Sequence, residues 1–464
     1  MDESLVFDFS LWEERPMTPD EIKTVLEELI RNIALSRGSY IEDIRAFSRN
    51  RSLPLETVIK LLLCWDGAPI NRYLYDCGLG KVSASAFVQQ RAKIHPQAFY
   101  ELLRRVNEAT EDATAQNAEL FNGLYRLIGV DGTSLALPLT VAKKNPEYLV
   151  VSKTNPTGVC LAHYNTLYSL SEHRFLDCVE GGDEQGKLIA MLYKNRFTPR
   201  DIIIADRGYL SYNCVAHLSR SPAHFLIRAR ENNTFRDIAR LIAEHPDEPF
   251  DETVSVEIST RQTNENKLLN RVIIQTNEGK HTTGGRARWD FAQIADPYTL
   301  TFRCTRFRLD TGGWETLISD LPTVKENSML GLSADELKRL YYYRWRLETA
   351  YAELKYAHAL INVHSRKIES IQQEVFSSLI IYNITRLIAY SIAINEKNTK
   401  LQYKIDMTMA SKLTREFILN PHGDGKALIQ TIASYRTPVR PNRQRPRNIR
   451  AKGVVPFAYR VASG

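Results

Sequence analysis

Two aspartates in this sequence have the residue type and the local setting that phosphate chemistry needs. Asp131 and Asp206 each follow directly on a short apolar run that predicts a buried strand, and each has a glycine within two residues. Ligand sites in α/β sheets form just beyond strand ends, and glycine lets a substrate approach the backbone closely. Either aspartate alone is also typical of an ordinary turn. With a third carboxylate, the pair would form an oxygen site able to hold two Mg²⁺ ions about 4 Å apart, which support in-line phosphoryl transfer.

Residues 341–355 (YYYRWRLETAYAELK) can supply that third carboxylate. If the stretch is one continuous helix, about 100° per residue places Tyr341, Arg344, Glu348 and Lys355 within an arc of roughly 60°. The adjacent arc is a continuous apolar face for packing on the sheet, and it holds Tyr343, Leu347, Ala350, Tyr351 and Leu354. Arg346 and Glu353 are expected on the solvent side. The alternative for Arg344 and Glu348 is a solvated i,i+4 pair worth a few tenths of a kcal/mol.

The length and charge of the chain limit its organisation. With 464 residues the chain is too long for one compact core, which favours two or three structural units. The net charge of +7 is concentrated in residues 436–452, which hold seven basic residues and no acid. Such a segment cannot bury a core and binds polyanions through counterion release. A tail that only improves solubility is the alternative reading of this segment.

The cysteines and the N-terminus predict a soluble cytoplasmic protein. The six cysteines lie far apart and form no CxxC motif or Cys/His cluster with zinc spacing, which fits a reducing compartment. The first residues, MDESLVFDFS, are acidic where a signal peptide would be basic. No apolar run approaches the length of about 18 residues that a membrane span needs.

Residues 1–115 are predicted to form a helical domain. Thr18 and Glu21 have the spacing of a capping box, a second helix is expected over residues 53–65, and a third is expected to begin near Ser83 or Ser85. A helix-turn-helix reader would expose polar side chains of that third helix to bases and phosphates, and the candidates are Gln89, Gln90, Arg91 and Lys93. A plain helical bundle explains the same pattern.

From residue 124 the hydrophobic period changes to that of strands. Three strands in a meander (124–130, 159–170 and 173–179) are followed by a helix over 183–195 and by strands at 202–205 and 224–230. This order predicts a mixed α/β sheet with helices on both faces. Residues 236–322 are rich in alternating and β-branched runs and include a basic, glycine-rich loop at 277–289, so they are expected to be a β-rich insertion. Helices follow, beginning at the Ser333–Glu336 capping box and including a long one over 374–395.

The order and spacing of these motifs resemble those of the insertion-sequence-four family of bacterial DDE transposases. The matching residues are DGT at Asp131, DRGY at Asp206, and the tyrosine-arginine-glutamate-lysine signature at Tyr341, Arg344, Glu348 and Lys355. The resemblance covers roughly residues 50–395. It implies an RNase H-like catalytic core over residues 116–235 and 323–425 and an insertion over 236–322, after the N-terminal DNA-binding region. The basic tail over residues 426–464 lies outside the resemblance.

The resemblance also implies a mechanism and a set of roles. Asp131, Asp206 and Glu348 would coordinate two Mg²⁺ ions, with Mn²⁺ as a substitute. Arg344 and Lys355 would contact DNA phosphates beside Tyr341, and Arg207 would contact DNA as well. Water would cut the transposon ends and the freed 3′-OH would attack target DNA, with a homodimer holding paired terminal inverted repeats at the nucleoid.

Members of this family can excise through a DNA hairpin, in which a flipped base stacks on a tryptophan of the insertion. Trp314 is the candidate here, Trp289 is its competitor, and packing within the insertion is the structural alternative for either ring. Two other functions stay open: an RNase H-like endonuclease that does not join strands, and a non-catalytic, domesticated transposase that only binds DNA. The second should have lost one of the three carboxylates, whereas this sequence keeps them all.

Overall fold

The structure is a computed structural model that describes residues 16–43, 45–48, 52–152, 155–232, 234–274, 288–358, 360, 363, 365–392 and 402–439. The part of the basic tail beyond residue 439 and most of the glycine-rich loop at 277–289 lie outside these residues. The chain divides into two compact units, one formed by Met1–Ala118, Leu135–Ala162 and Tyr351–Gly464, the other by Glu119–Ser134 and His163–Ala350. These bounds differ from the predicted domains, because the second unit takes in both the front of the predicted core and the insertion.

The helices, in chain order, are α1 (Pro19–Leu35), α2 (Leu55–Cys64), α3 (Ile70–Asp76), α4 (Ala84–Arg91), α5 (Gln97–Ala109), α6 (Glu111–Ala115), α7 (Leu139–Ala142), α8 (Glu184–Lys194), α9 (Tyr212–Ser219), α10 (Arg236–Glu244), α11 (Asn264–Leu268), α12 (Ala334–Tyr342), α13 (Trp345–Tyr356), α14 (Ile368–Tyr390), α15 (Met407–Leu419) and α16 (Gly425–Ser434). Short 3₁₀ turns lie at Arg37–Ser39, Pro146–Tyr148 and Arg207–Tyr209.

The strands are β1 (Arg126–Leu137), β2 (Leu149–Ser152), β3 (Asn155–Ser169), β4 (Arg174–Glu180), β5 (Asp201–Ala205), β6 (His224–Arg228), β7 (Phe250–Ser259), β8 (Val272–Ile273), β9 (Tyr298–Arg308), β10 (Trp314–Ser319), β11 (Tyr403–Ile405) and β12 (Arg436–Pro438). Ten of them form one sheet in the order β2-β3-β1-β5-β6-β10-β9-β7-β8, with β4 paired to β3. Strands β1, β5 and β6 run parallel to one another, whereas the pairs β6–β10, β10–β9 and β9–β7 are antiparallel.

The first unit contains a helical bundle in which the long helix α14 packs against α2, α5 and α15. The predicted capping box is confirmed at the start of α1, where Thr18 and Glu21 each accept from the other's backbone amide. Helix α4 begins at Ser83, whose hydroxyl accepts from the amide of Ala86. The predicted long helix is confirmed as α14, although it begins at Ile368, six residues before the predicted start.

The second unit is built on the middle of the sheet. Ile128 and Val130 point to one face, where they join the core formed with helices α8 and α9. Gly129 lies between them and faces the other way, so that a Cβ added there would lie 3.3 Å from Leu347 of α13. Helices therefore cover both faces. The predicted fold class, a mixed α/β sheet of RNase H-like strand order (β4-β3-β1-β5-β6), is confirmed.

Residues 236–322, which were predicted to be a β-rich insertion, contain strands β7 to β10, and these strands continue the main sheet. Strand β10 pairs with β6, the last strand of the core, in the register Leu317↔Arg228. Strands β9, β7 and β8 extend the sheet outward from β10. The reason is backbone hydrogen bonding: β6 would otherwise be an open edge, and β10 satisfies its amides and carbonyls.

The structure also bears on the state of the cysteines and on membrane-spanning helices. All six cysteines are unpaired. Among the helices of the described residues, none has both the length and the apolar character needed to span a bilayer.

Candidate functional site

Asp131 and Asp206 lie side by side because of the register of two parallel strands. Strand β1 pairs with β5 so that Val130 lies opposite Ala205, and each aspartate is the next residue along. Neighbouring strands are about 4.8 Å apart, which brings the two carboxylates to one point of the sheet. Each carboxylate accepts the amide of the residue that follows it, at 2.8 Å from Gly132 and 2.7 Å from Arg207. The sequence-predicted pairing of the two aspartates therefore has a structural basis.

The local setting of Asp131 differs from the prediction. The predicted strand ends at Val130, but β1 runs on to Leu137, so Asp131 lies inside the strand. Asp206 does follow its strand and caps the 3₁₀ turn Arg207–Tyr209. The apolar run that ended at Val130 marked only the buried half of β1; the polar half continues the pairing through backbone hydrogen bonds, which residue type does not reveal.

Burial changes the acidity of Asp131. Desolvation raises the pKa of Asp131 from 3.8 to about 6, and the charges of Asp206 and Glu184 also raise it. The amide of Gly132 and the guanidinium of Arg344 act in the opposite direction and lower it. A carboxylate in this setting is short of positive charge, which is the electrostatic condition that a bound cation would relieve.

The stretch predicted to be one helix is two. Helix α12 ends at Tyr342 and α13 begins at Trp345, and the backbone between them makes tighter contacts, such as the amide of Arg344 donating to the carbonyl of Tyr341 at 3.1 Å. The prediction of a single continuous helix is therefore wrong. The break does not disperse the predicted residues, because the hydroxyl of Tyr341 donates to Asp206 Oδ1 at 3.4 Å and Arg344 Nη2 donates to Glu348 Oε1 at 3.1 Å.

Arg344 is the positive charge shared by these groups. Burial acts to lower its pKa, but Tyr341, Asp206, Glu348 and Asp131 together raise it above its ordinary value. Its side chain is 9% exposed, so the pair with Glu348 is not the solvated surface pair that was the alternative reading. Burial also raises the pKa of the Tyr341 phenol, and the charge of Asp206 adds to that effect.

The oxygen donors of Asp131 and Asp206 fit a hard divalent cation, since both are carboxylates and they lie in adjacent register. Glu348 forms an ion pair with Arg344. Within the part of the chain that the structure describes, no group of three or more His, Cys, Asp or Glu is spaced to hold a metal ion. The two aspartates are therefore the carboxylates that the register of the sheet brings together.

The other two charges of the α12–α13 stretch were placed wrongly by the helical-wheel prediction. Arg346 was expected in solvent, but it donates to the carbonyl of Leu170 at 3.0 Å and pairs with Glu119. Glu353 was also expected in solvent, but its side chain is 16% exposed and forms an ion pair with Arg386. Both are partly buried because neighbouring elements cover the outer side of these helices, which a helical wheel does not include.

The two candidate tryptophans have different environments. Trp289 is 6% exposed and packs against Phe291 and Tyr298, with ring centroids at 5.3 and 5.4 Å. Trp314 is half-buried and has the guanidinium of Arg306 at 4.3 Å from its ring centroid. Glu315, the residue after it, interacts electrostatically with both Arg344 and Asp206. Of the two rings, Trp314 is therefore the more accessible, and it begins strand β10.

The remaining predicted DNA contacts fall into two groups. Arg207 is exposed beside Asp206, and Lys93 and Gln90 are accessible at the end of α4. Arg91 is not: it is 2% exposed, pairs with Glu374 and donates to Gln373 and to the carbonyl of Ser370. The prediction that Arg91 reaches DNA is wrong, because its guanidinium holds α4 against α14. Lys355 belongs to the first compact unit, and its part in the site stays a prediction.

Sequence reasoning missed three residues beside Asp131. Glu184 begins α8, its Oε1 lies 3.1 Å from His163 Nε2, and His163 Nδ1 lies 3.1 Å from the hydroxyl of Ser134. The only sequence signal was the predicted start of this helix at Asp183. Nothing in the spacing of these three residues indicates that they meet, since they come from β1, β3 and α8.

Residues 122–384 match the family model described as "Transposase DDE domain". A comparison with curated protein sequences found no match. Among solved structures, the chain is similar to the piggyBac transposase in a synaptic complex with hairpin DNA, with 9% identity and a TM-score of 0.42 over 90% of this chain and 84% of that one. The family match spans more than half of the chain and includes both aspartates, Arg344 and Glu348. The chain belongs to the transposase DDE domain family, whose members are metal-dependent DNA-cleaving enzymes.

Proposed function

We propose that this protein is a cut-and-paste DNA transposase of the insertion-sequence-four type. The observation that supports this best is the register of β1 and β5, which puts Asp131 beside Asp206 while Tyr341 and Arg344 approach from the α12–α13 junction. Water would attack the phosphodiester at each transposon end. The freed 3′-OH would then attack target DNA, and no covalent bond to the protein would form.

Asp131, Asp206 and Glu348 are the proposed cation ligands. When bound, two Mg²⁺ ions, or Mn²⁺ in their place, would lower the pKa of the attacking water and stabilise the leaving oxygen. Asp131 and Asp206 would fix the position of the reacting phosphate relative to the sheet. Glu348 would join them as a ligand, and Arg344 would bind a phosphate oxygen with the bidentate geometry of a guanidinium.

The proposed DNA surface has three parts. Tyr341, Arg344, Arg207 and Lys355 would hold the backbone near the scissile bond, and Trp314 would stack a flipped base during hairpin formation. Gln90 on α4 and Lys93 just after it would contact the terminal inverted repeat, either in a helix-turn-helix with α3 or as part of a plain bundle. Two copies of the chain would hold paired ends at the nucleoid.

The test uses the DNA that flanks the gene. Inverted repeats that bracket it identify the substrate, and a plasmid carrying them is incubated with the full-length protein and Mg²⁺. We expect cleavage at the repeat ends and joined products in the wild type, and neither with Asp206→Asn. Cleavage without any joined product would replace the proposal with an endonuclease. Binding to the repeats with no cleavage in Mg²⁺ or Mn²⁺ would replace it with a non-catalytic DNA-binding protein.

A further inference from the structure

A fourth carboxylate, Glu184, lies beside the proposed cation site at the point where two glycines leave room for it. A Cβ added to Gly132 would lie 2.6 Å from Glu184 Oε1, and one added to Gly208 would lie 3.3 Å from Glu184 Oε2. Gly132 follows Asp131, and Gly208 is two residues beyond Asp206. The carboxylate of Glu184 therefore lies beside the backbone just after each aspartate, and its charge acts on Asp131.

Glu184 is linked to strand β1 by a chain of contacts. Its Oε1 lies at an ion-pair distance of 3.1 Å from His163 Nε2, without the geometry of a hydrogen bond, and the other ring nitrogen of His163 is 3.1 Å from the hydroxyl of Ser134. Ser134 is three residues beyond Asp131 on the same strand. Glu184 lies against Gly132 of β1, and His163 contacts Ser134 of β1, so both ends of this chain of contacts are on that strand. An added Cβ at Gly132 would also meet His163 Nε2 at a distance that real Cβ atoms do not show.

The helix that carries Glu184 is also tied to the loop after Asp206. Gln185 Nε2 donates to the carbonyl of Gly208 at 2.8 Å, and the hydroxyl of Ser211 donates to Gln185 Oε1 at 2.7 Å. The first turn of α8 and the Asp206 loop thus form one hydrogen-bonded unit. With a side chain that is 34% exposed, Glu184 keeps access to solvent while its position is held.

We propose that Glu184 is a positioning residue of the cation site, held there by His163 and Ser134. This inference rests on the proposed function. The carboxylate of Glu184 adds negative charge beside Asp131. When a cation is bound, this charge would strengthen its binding and help to hold the aspartate ligands in place. Outer groups of this kind orient the inner ligands, and their loss costs about 10- to 100-fold in metal affinity.

The test is the affinity of the full-length protein for Mn²⁺ without DNA, measured by the loss of the free Mn²⁺ signal in electron paramagnetic resonance. We expect Glu184→Gln, which keeps the shape and removes the charge, to weaken Mn²⁺ binding about 10-fold. Glu184→Asp should recover part of the affinity. Glu252→Gln, which neutralises an exposed carboxylate on β7, is the matched control and should bind like the wild type.

Two substitutions of His163 test the same inference without changing Glu184. His163→Ala removes the contact to Glu184 and should weaken Mn²⁺ binding, whereas His163→Gln keeps an N–H donor at a similar reach and should restore it. Thermal unfolding without metal is recorded for every variant. If Glu184→Gln and His163→Ala change only the unfolding temperature and leave Mn²⁺ affinity within twofold of the wild type, the inference is overturned and the cluster is structural.

Asp131→Asn separates this inference from the proposed function. Loss of Mn²⁺ binding in Asp131→Asn with normal binding in Glu184→Gln overturns only the role of Glu184. Unchanged Mn²⁺ binding in Asp131→Asn means that the aspartates do not hold the cation, and both proposals then fail. Loss in both variants, with normal binding in Glu252→Gln, supports both.

Discussion

Arg344 and Glu348 form a nearly buried ion pair at the junction of two helices, with Nη2 and Oε1 3.1 Å apart. The same guanidinium interacts with Asp131 and Asp206, so the one positive charge of Arg344 is shared by three carboxylates. Under the proposed function, a cation bound by these carboxylates would take over that charge balance and leave Arg344 to bind a phosphate.

Glu348→Ala should abolish DNA cleavage and lower the stability of the protein moderately. Removing one ligand of a two-cation site should nearly abolish the chemical step. The unfolding free energy should fall by about 1 to 3 kcal/mol, because the nearly buried Arg344 loses a hydrogen-bonded partner but still has two other carboxylates nearby. Cleavage of plasmid DNA and urea unfolding measure the two effects. Full transposition by Glu348→Ala would refute the assignment of the site.

Arg344→Ala should change both the pKa of Asp131 and the affinity for DNA. Arg344 lowers the pKa of Asp131, so its removal should raise that pKa further above about 6. The affinity for DNA should also fall and depend less on salt, because one phosphate contact is lost. Nuclear magnetic resonance titration of the Asp131 carboxyl and DNA binding at two salt concentrations test this. Arg207→Ala should change only the DNA binding.

The raised pKa of Asp131 predicts how stability depends on pH. Its folded pKa of about 6 lies above the ordinary 3.8, so the folded state binds the proton more tightly than the unfolded state. The resulting stability is fully present below about pH 4 and is lost as the pH rises through about 6. Asp131→Asn should therefore be more stable than the wild type at pH 8, by about 2 to 3 kcal/mol, and should show no such gain at pH 4.

Urea unfolding at several pH values without divalent metal measures this difference. An equal effect of Asp131→Asn at pH 4 and pH 8 would mean that the Asp131 carboxyl does not titrate in this range. Cation binding should show the reverse dependence, since a cation needs the ionised carboxylate: affinity for Mn²⁺ should fall as the pH drops below about 6.

Substitutions of the two tryptophans should affect different properties: the stability of the protein for Trp289, and the yield of hairpin DNA for Trp314. Trp289→Ala removes a buried ring and should destabilise the protein by about 3 to 5 kcal/mol. Trp314→Ala should cost much less stability, because the ring is half-buried, but should reduce the yield of hairpin DNA if a flipped base stacks there. Unfolding curves and hairpin yield on a labelled transposon end are the measurements. Unchanged hairpin yield in Trp314→Ala would rule out stacking on that ring.

Neighbouring basic residues on and after α4 should behave differently. Arg91→Ala leaves Glu374 buried without its partner and should cost about 3 to 5 kcal/mol of stability. Lys93→Ala should leave stability unchanged, because Lys93 is exposed, and should weaken DNA binding and its salt dependence if this segment contacts phosphate. Thermal unfolding and DNA-binding titrations test both. Wild-type DNA affinity in Lys93→Ala would argue against a DNA-reading role for this segment.

The sequence by itself determined the parts of the site that depend on local rules. The apolar run before Asp206, the capping boxes at Thr18 and Ser333, and the order of strands and helices are set by residue type and hydrophobic period. Asp131, Asp206 and Glu348 stood out for the same reason, because a carboxylate next to a predicted buried strand or helix can be recognised from the sequence alone. The mixed sheet followed from the alternation of these elements.

Only the tertiary structure decided which distant side chains meet. The register Val130↔Ala205 joins Asp131 to Asp206, and the contact of Glu184 with His163 depends on how α8 returns to the sheet. Arg91 and Lys93 have the same charge in the sequence, but burial against α14 makes one an internal ion pair and leaves the other exposed. Long-range packing and backbone pairing set these outcomes, and neither is encoded in the spacing of residues along the chain.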